Sequence, residues 1–323
     1  MSPFPIIELQ PNELVSEPGF YRIPMEVHHS QFCVGPVVTS GVLRRMELRS
    51  PAEVFAFHDL NPHRWPSEDK PALRLGRAIA AYIEGGMEVV AQHFRVVPQG
   101  SPRRPTQAQL TAYEEGRASE AAKASIHFWE QIERDGRDLI SADDMLTIET
   151  MGRVLAADPL AAAVMAGEPE VSMVFHDAAT DLWVSARPDT VHFDGSVSDF
   201  KRMNTQGRPF DYRVVDQRIT QHAYDMQLAL AAEAFEALTG EWVTSAGIVA
   251  QWDQPPHHVI LRGLQEEDLR FGQFRNRRAL RRFRECLDAD EWPGPGSDVA
   301  DYQRPEKQRT WLLEQMNLEG TAP

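Results

Sequence analysis

The stretch that most constrains the fold is residues 186–203, which read ARPDTVHFDGSVSDFKRM. It follows two β-rich runs joined by the turn residues Asp-Ala-Ala-Thr-Asp, and this pattern predicts a hairpin followed by a further strand. In this prediction Asp189 ends one strand, while Asp199 and Lys201 lie on the next. Because residues i and i+2 of a strand point to the same face, we expect Asp199 and Lys201 to project together.

These residue types suit metal-dependent hydrolysis. The carboxylates of Asp189 and Asp199 and the main-chain carbonyl of Phe200 are hard oxygen ligands, the kind that Mg²⁺ prefers. Lys201 would then position or deprotonate a water that attacks a phosphodiester. An acidic residue, a gap of ten and then Asp-x-Lys is the layout of a PD-(D/E)xK nuclease site. The alternative is a hairpin with ordinary surface charges, and Glu68-Asp69-Lys70, in a predicted loop, also fits the short motif.

Lysine usage favours the match at Asp199-Phe200-Lys201 over the one at Glu68-Asp69-Lys70. Only four of the 33 lysine and arginine residues are lysines, namely Lys70, Lys123, Lys201 and Lys307. Arginine supplies almost every other positive charge, yet a lysine stands beside the two aspartates. A lysine pKa shifts readily, whereas an arginine stays protonated, so this choice favours a chemical role for Lys201.

The overall charge argues against a general nucleic-acid-binding surface, because the chain carries a net charge of −15. A nuclease with its positive charge concentrated at the site remains compatible with this value. One local basic run, residues 269–286, contains seven arginines. We interpret most of them as a solvated helix face, and a few as candidates for phosphate contact.

Composition excludes several other classes. Cys33 and Cys286 are the only cysteines, so a disulfide framework and a four-cysteine iron–sulfur site are excluded. No run approaches the roughly 18–20 apolar residues of a membrane span. The N-terminus has neither the basic nor the apolar region of a secretory signal, so we expect a cytoplasmic location.

The order of elements predicts one α/β domain with a compact mixed β-sheet flanked by helices. We expect an extended N-terminal segment at 1–35, the domain at 36–290 with its core at 165–262, and a tail at 291–323. Within the domain, helices precede a strand group at about 171–201. A helical stretch at 211–240, two strands and a final helix at 265–288 follow.

Several segments, in order, resemble the phage and prophage RecE-type (exonuclease VIII-like) exonucleases of the PD-(D/E)xK superfamily. Before the core strands they are a Ser-containing helix with Ser-Pro-Ala (39–58), a Gly-x-Ala helix (73–83) and the segment that leads into the first core strand (139–175). The two motif strands follow, with Arg-Pro-Asp (182–191) and Asp-x-Lys (197–203). The last two are a helix with Gln227 (222–235) and Cys-Leu-x-x-x-Glu-Trp-Pro (284–294).

The chain departs from the family pattern at two positions. The family's helical histidine, often a metal ligand, corresponds to Ala80. The tyrosine of the family's Gln-x-x-x-Tyr helix corresponds to Ala231, although Tyr224 lies one turn before Gln227. Related lambda-type exonucleases have an upstream acidic residue instead, and Glu170 resembles it.

The resemblance implies a site that binds two Mg²⁺ ions, with Mn²⁺ as a substitute. Its metal ligands would be Glu170, Asp189, Asp199 and the Phe200 carbonyl. Lys201 and Gln227 would complete the catalytic set, with Gln227 bonded to the lysine or to the scissile phosphate. The candidate DNA contacts are Ser40, Arg44, Arg187, Arg202 and Tyr224.

The implied activity is 5′→3′ digestion of double-stranded DNA ends, leaving 3′ single strands for a RecT-like annealing protein. The resemblance also implies a homo-oligomeric ring, a trimer or tetramer, in the cytoplasm of a bacterial host. Two alternatives stay open. One is a structure-specific or restriction-type endonuclease. The other is an inactive nuclease fold that serves as a DNA-binding module, which the alanines at 80 and 231 would favour.

Overall fold

The computed structural model describes residues 4–10, 12–66, 71–192, 194–296 and 301–319. The second Asp/Glu-x-Lys match, Glu68-Asp69-Lys70, lies outside these ranges. In the part of the chain that is described, no helix is both long enough and apolar enough to cross a membrane.

The helices and strands alternate along the chain as a mixed α/β fold, as the sequence predicts. The helices are α1 (Met25–His28), α2 (Ser40–Leu48), α3 (Pro51–Phe55), α4 (Pro71–His93), α5 (Gln107–Glu114), α6 (Glu120–Glu133), α7 (Ala142–Ala157), α8 (Pro159–Val164), α9 (Tyr212–His222), α10 (Tyr224–Thr239), α11 (Glu266–Ala289) and α12 (Glu306–Leu318). The strands are β1 (Ile6–Glu8), β2 (Gly19–Arg22), β3 (Val37–Thr39), β4 (Phe94–Val97), β5 (Asp138–Ser141), β6 (Glu168–Pro169), β7 (Ser172–Asp177), β8 (Leu182–Ala186), β9 (Thr190–Val191), β10 (Ser196–Met203), β11 (Ser245–Trp252) and β12 (Val259–Gly263).

The strands form two five-stranded mixed sheets and a separate pair, rather than one compact sheet. The first sheet has the order β1-β2-β7-β8-β3 and the second the order β12-β11-β10-β9-β6, while β4 pairs with β5. The first sheet includes β1 and β2, so the segment before residue 36 contributes two strands to it.

The chain passes from the first sheet to the second at Arg187-Pro188-Asp189. The predicted hairpin is present as β7 and β8, but Asp189 does not end a hairpin strand; it lies in the link between β8 and β9. The physical reason is Pro188, which has no N–H to donate and is therefore unsuited to the interior of a strand ladder. The link brings Asp189 next to β10.

Helix α10 is the buried centre of the fold. Its sequence, YDMQLALAAEAFEALT, is apolar on almost every side, which is typical of a helix enclosed on all faces. It packs against strands of both sheets and most closely against α11. There Gly272 is required, because a Cβ at this position would lie 2.6 Å from the Asp225 carbonyl oxygen.

Two helical stretches are interrupted in the structure. The helical stretch at 211–240 is divided at Ala223, which adopts the left-handed conformation between α9 and α10. Helix α4 is also interrupted: Gly85 and Gly86 have non-helical backbone angles, which separate its first helical part from a second part that ends at His93.

The arginines of residues 269–286 act mainly within the protein, as their interpretation as a balanced helix face requires. On α11, Arg275 contacts Glu47 and Asp225, and Arg277 contacts Asp177 and Glu233. Arg270, Arg278 and Arg284 are likewise ion-paired. The pairs of Arg275, Arg277 and Arg278 hold α11 against α2, α10 and β7. All of these ion pairs use charge that a DNA-binding surface would need.

One of these pairs predicts a pH-dependent stability. Burial raises the pKa of Glu233 from 4.5 to about 7; Arg277 opposes the shift and Asp177 adds to it. Between these pH values the folded protein keeps a proton that the unfolded chain has lost, so the stability contribution falls as pH rises. The full change is about 3 kcal/mol.

We therefore expect Glu233→Gln to gain stability relative to wild type as pH rises from about 5 to about 8. Urea unfolding of both proteins across this range measures the difference. Glu236→Gln, an exposed position on the same helix, is the control and should parallel wild type. Parallel curves for Glu233→Gln would contradict the assignment.

Candidate active site

Asp199 is the most buried charged group of the candidate site. It lies in the middle of β10, between β9 and β11, and its side chain is 0% exposed. Its Oδ1 accepts a hydrogen bond of 2.8 Å from Gln227 Nε2, and its Oδ2 forms an ion pair with Lys201 Nζ. Strand alternation therefore brings Asp199 and Lys201 together, as the motif predicts.

The intervening Phe200 fixes the orientation of β10. Its side chain belongs to a second apolar cluster, formed with α4, α7 and β11, that includes Ile79, Ile148 and Val249. Because neighbours on a strand point to opposite faces, anchoring Phe200 in this cluster turns Asp199 and Lys201 the other way. The ligand role of the Phe200 carbonyl stays a prediction.

Asp189 lies beside Asp199 through the register of β9 and β10. Thr190 is paired with Ser198, so the next position along the antiparallel pair sets Asp189 opposite Asp199. The Phe200 N–H donates to Asp189 Oδ2 at 2.6 Å. The two carboxylates of the motif thus come together although they belong to different segments.

The proximity of these groups changes their proton affinities. Burial, and then the charge of Asp199, raise the pKa of Asp189 well above its usual value. For Lys201, burial alone would lower the pKa, but Asp199 and Asp189 outweigh it and raise the value. The two carboxylates therefore favour the protonated form of Lys201.

Glu170 and Arg187 form a buried ion pair at the edge of the site. Arg187 Nε donates to Glu170 Oε2 at 2.5 Å, and Arg187 Nη1 donates to the Ile23 carbonyl at 2.9 Å. Glu170 is only 7% exposed, and its N–H donates to the Asp189 carbonyl at 3.2 Å. Burial raises the Glu170 pKa, while Arg187 opposes this shift. Arg187, which the sequence predicts to contact DNA, is therefore already engaged by Glu170 and the Ile23 carbonyl.

Gln227 and Tyr224 lie in the first turn and a half of α10, over the site. Gln227 donates to Asp199 rather than bonding to Lys201, because the carboxylate is the acceptor within its reach. The Tyr224 ring lies under both Lys201 Nζ, at 5.1 Å from its centroid, and Arg44 Cζ, at 5.7 Å. His222 stacks on the same ring at 5.4 Å.

The other predicted DNA contacts have distinct surroundings. Ser40 is the first residue of α2, and Arg44 follows one turn later on that helix. Arg44 Nη1 donates to the His222 carbonyl at 3.3 Å, while its buried Nε has no hydrogen-bond partner. Arg202 forms an ion pair of 3.5 Å with Asp253.

Glu84 belongs to the site, and motif analysis missed it. It lines a cavity of about 450 Å³ together with Glu170, Asp189 and Lys201, and its charge contributes to the raised pKa of Glu170. The same residue borders an adjoining cleft of about 840 Å³. The sequence feature that could have identified Glu84 is its position one turn after Ala80 on the same helix, α4.

The donor set fits a hard divalent cation. Four carboxylates, from Glu84, Glu170, Asp189 and Asp199, lie near the cations Arg187 and Lys201, and Arg77 and Arg202 also line the cavity. Gln227 Oε1 is a buried oxygen without a hydrogen-bond donor, whereas the buried Asp199 Oδ2 has Lys201 as its ion-pair partner. Across the described ranges no three His, Cys, Asp or Glu side chains already form a closed cage, so binding requires side-chain adjustment.

The buried ion pair gives a stability prediction. In Arg187→Met, Glu170 would be a buried carboxylate without its partner, which we expect to reduce the unfolding free energy by about 3 kcal/mol. Adding Glu170→Gln should recover part of this loss, because the unpaired charge is removed. Arg49→Met, which breaks an exposed pair with Glu53, should change stability by less than about 1 kcal/mol. Urea unfolding measures these variants and the Glu170→Gln single variant, and purely additive effects at positions 187 and 170 would contradict the coupling.

Comparison with known proteins places this geometry in a fold family. The structure is similar to the "Putative exonuclease" of Eubacterium rectale, with a TM-score of 0.59 and 14% identity over 90% of this chain and 98% of that one. At this identity the likeness shows the fold alone. An alkaline exonuclease of Laribacter hongkongensis matches 53% of this chain and 86% of its own at 13% identity, but its TM-score of 0.24 supports no argument.

No curated protein gives a significant match to the chain. Residues 43–306, however, match the family described as "PDDEXK-like domain of unknown function" (DUF3799). This confirms the PD-(D/E)xK-like α/β fold that the spacing of Asp189, Asp199 and Lys201 predicts. Since the match spans most of the sequence, the chain belongs to this PDDEXK-like family.

Proposed function

We propose that the protein is a Mg²⁺-dependent DNA exonuclease that digests double-stranded ends in the 5′→3′ direction. The observation that carries the proposal is the buried Asp199, held between Gln227 and Lys201 and set beside Asp189. A fully buried carboxylate in a sheet is unfavourable for folding alone, so its retention with an adjacent second carboxylate indicates a function.

Each residue has a role that follows from its contacts. Asp189 and Asp199 would hold the cation, with Glu170 at a second position and the Phe200 carbonyl as a further oxygen ligand. When bound, Mg²⁺ supplies an activated water and stabilises the charge on the leaving oxygen. Gln227 fixes the Asp199 carboxylate. Lys201, as a cation, would orient the water or a phosphate oxygen.

The DNA backbone would approach on the side of Tyr224. Arg44 and Arg218 donate there to neutral acceptors, and within the described residues neither has a carboxylate partner in an ion pair. Both lower the pKa of His222, after burial, together with Lys201. Arg44 and Arg218 are thus two cations near the site that have no carboxylate partner among the described residues. Motif analysis included Arg44 but missed Arg218 and His222.

The finer parts of the proposal follow the RecE-type resemblance. They are the 5′→3′ polarity, the 3′ single-stranded product, its transfer to a RecT-like annealing protein and a ring-shaped homo-oligomer. A ring would allow an exterior with a net charge of −15 per chain to stay away from the DNA. Only the surface that faces the duplex would then need unpaired cations such as Arg44.

The activity is tested on end-labelled linear duplex DNA with Mg²⁺. We expect wild type to release nucleotides from the 5′ ends, and Asp199→Ala or Lys201→Ala to reduce the rate at least a thousandfold, about 4 kcal/mol in activation free energy. Lys123→Ala, which alters an exposed lysine on α6, is the matched control and should retain the wild-type rate.

A covalently closed circle is included as substrate. Its cleavage would reassign the protein as an endonuclease, and no cleavage of either substrate in Mg²⁺ or Mn²⁺ would favour the inactive DNA-binding module. Release from 3′ ends would contradict the polarity. Circular dichroism of each variant establishes that the protein is folded.

The proposal that DNA approaches on the side of Tyr224 is tested by measuring the binding of duplex DNA. In an Asp199→Asn background, Arg44→Ala and Arg218→Ala should each weaken duplex binding about fivefold, and each should reduce the slope of log K against log salt by about one. Arg284→Ala, whose arginine pairs with Asp288 on α11, should bind like the background. Fluorescence anisotropy over a salt series measures both quantities. An equal effect of all three substitutions would assign the change to net charge instead.

A further inference from the structure

The ring of Tyr224 is shared by two cations near the candidate site. Lys201 Nζ lies 5.1 Å from the ring centroid, and Arg44 Cζ lies 5.7 Å from it. Both distances are within the range of about 6 Å over which the face of an aromatic ring attracts a cation. The imidazole of His222 stacks on the same ring, with 5.4 Å between the two centroids. These contacts involve the ring of Tyr224 rather than its hydroxyl.

The backbone gives this ring a fixed position. Ala223 is buried and adopts the left-handed conformation, which ends α9 and turns the chain into α10 at Tyr224. Tyr224 therefore stands at the start of a buried helix, one turn before Gln227, which binds Asp199. The beginning of α10 thus carries one side chain that contacts the carboxylate and another that contacts the lysine.

Lys201 needs a second support because its own strand does not fix its end. Its ion pair with Asp199 joins two side chains of β10, and a lysine side chain has a long, flexible stem. The attraction of the Tyr224 ring comes from α10, so it restricts the ammonium to positions close to both the carboxylate and the ring. Lys201 also lines the 450 Å³ cavity, from which a substrate oxygen can reach it.

An aromatic ring suits this place better than a carboxylate would. Burial, and then the charges of Arg218, Arg44 and Lys201, lower the pKa of His222, which favours its neutral form. Burial also raises the pKa of the Tyr224 hydroxyl above its usual value, so this side chain is uncharged at neutral pH. The ring therefore attracts two cations without a net charge, whereas a carboxylate would repel the DNA backbone.

We propose that Tyr224 is a positioning residue, whose ring holds the ammonium of Lys201 and the guanidinium of Arg44 in one arrangement. DNA bound by Arg44 would thereby be presented to Lys201. The inference rests on the proposed nuclease function, and it gives Tyr224 a role through two side chains of the protein in place of a direct DNA contact. It requires the ring and does not require the hydroxyl.

The test is the digestion of linear duplex DNA with Mg²⁺ by the full chain, measured as kcat and KM. We expect Tyr224→Leu, which removes the ring, to lower kcat about tenfold and to raise KM about threefold, because Lys201 and Arg44 lose their common partner. Tyr224→Phe keeps the ring and should recover most of both losses. Tyr302→Leu removes an exposed ring that contacts Arg304 at 5.3 Å, and this matched control should digest DNA like wild type.

A fluorine series separates the attraction of the ring from its packing. Tyr224→Phe is prepared with one, two or three fluorine atoms on the ring, which withdraw electron density from its face and change its size little. We expect kcat to fall stepwise as fluorine atoms are added, while the circular dichroism spectrum stays unchanged. Because this series keeps a ring in place, it tests the inference even if Tyr224→Leu does not fold.

A kcat that is the same across the fluorine series would overturn the inference, because the ring would then contribute packing alone. Equal losses in Tyr224→Phe and Tyr224→Leu would also overturn it, and would assign the role to the hydroxyl, as in a direct DNA contact. Both outcomes leave the proposed function intact, since they require a wild type that digests DNA. A wild type that does not digest DNA would reject the proposed function and the inference together.

Discussion

The rest of the structure depends on the burial of the Asp199 carboxylate within a central strand. An ionised carboxylate away from water is costly unless charge and hydrogen bonds compensate it. Lys201 supplies the charge from the same strand, and Gln227 supplies the hydrogen bond from α10. This requires α10 to lie against the sheet, and a helix in that position must be apolar on nearly every side. The composition of α10 is therefore a consequence of the site as well as of the core.

The distribution of arginines follows a second constraint, set by the acidic composition. With a net charge of −15, unpaired positive charge is scarce, and most arginines near the site are used in ion pairs. Among the described residues, Arg44 and Arg218 bond only to neutral groups, and they lie together with Lys201 around Tyr224 and His222. A small positive region in an acidic protein directs a polyanion to one place, as the proposed nuclease function requires.

Sequence analysis could predict the features that depend on local periodicity. Asp199 and Lys201 share a face because strands alternate, and the strands flanking them are recognisable from their β-branched residues. Asp189 was identified, but its position in a link between two sheets was not, because that depends on which strand each segment pairs with. The site residue Glu84 was missed for a similar reason: nothing in the local pattern of α4 shows that it faces Glu170, which is far away in sequence.

The N-terminal segment also helps to position the site, through contacts that its sequence does not reveal. Arg187 is held by Glu170 and by the Ile23 carbonyl, which immediately follows β2. Arg22, the last residue of β2, binds Glu168 and the Pro169 carbonyl. Two arginine contacts thus tie β2 to the short segment that carries Glu170. An extended, proline-rich stretch has little stability of its own, so its order comes from these contacts and from pairing with β7. The geometry of Glu170 is therefore set by residues that lie almost 150 positions away, and a site motif read from the sequence cannot contain them.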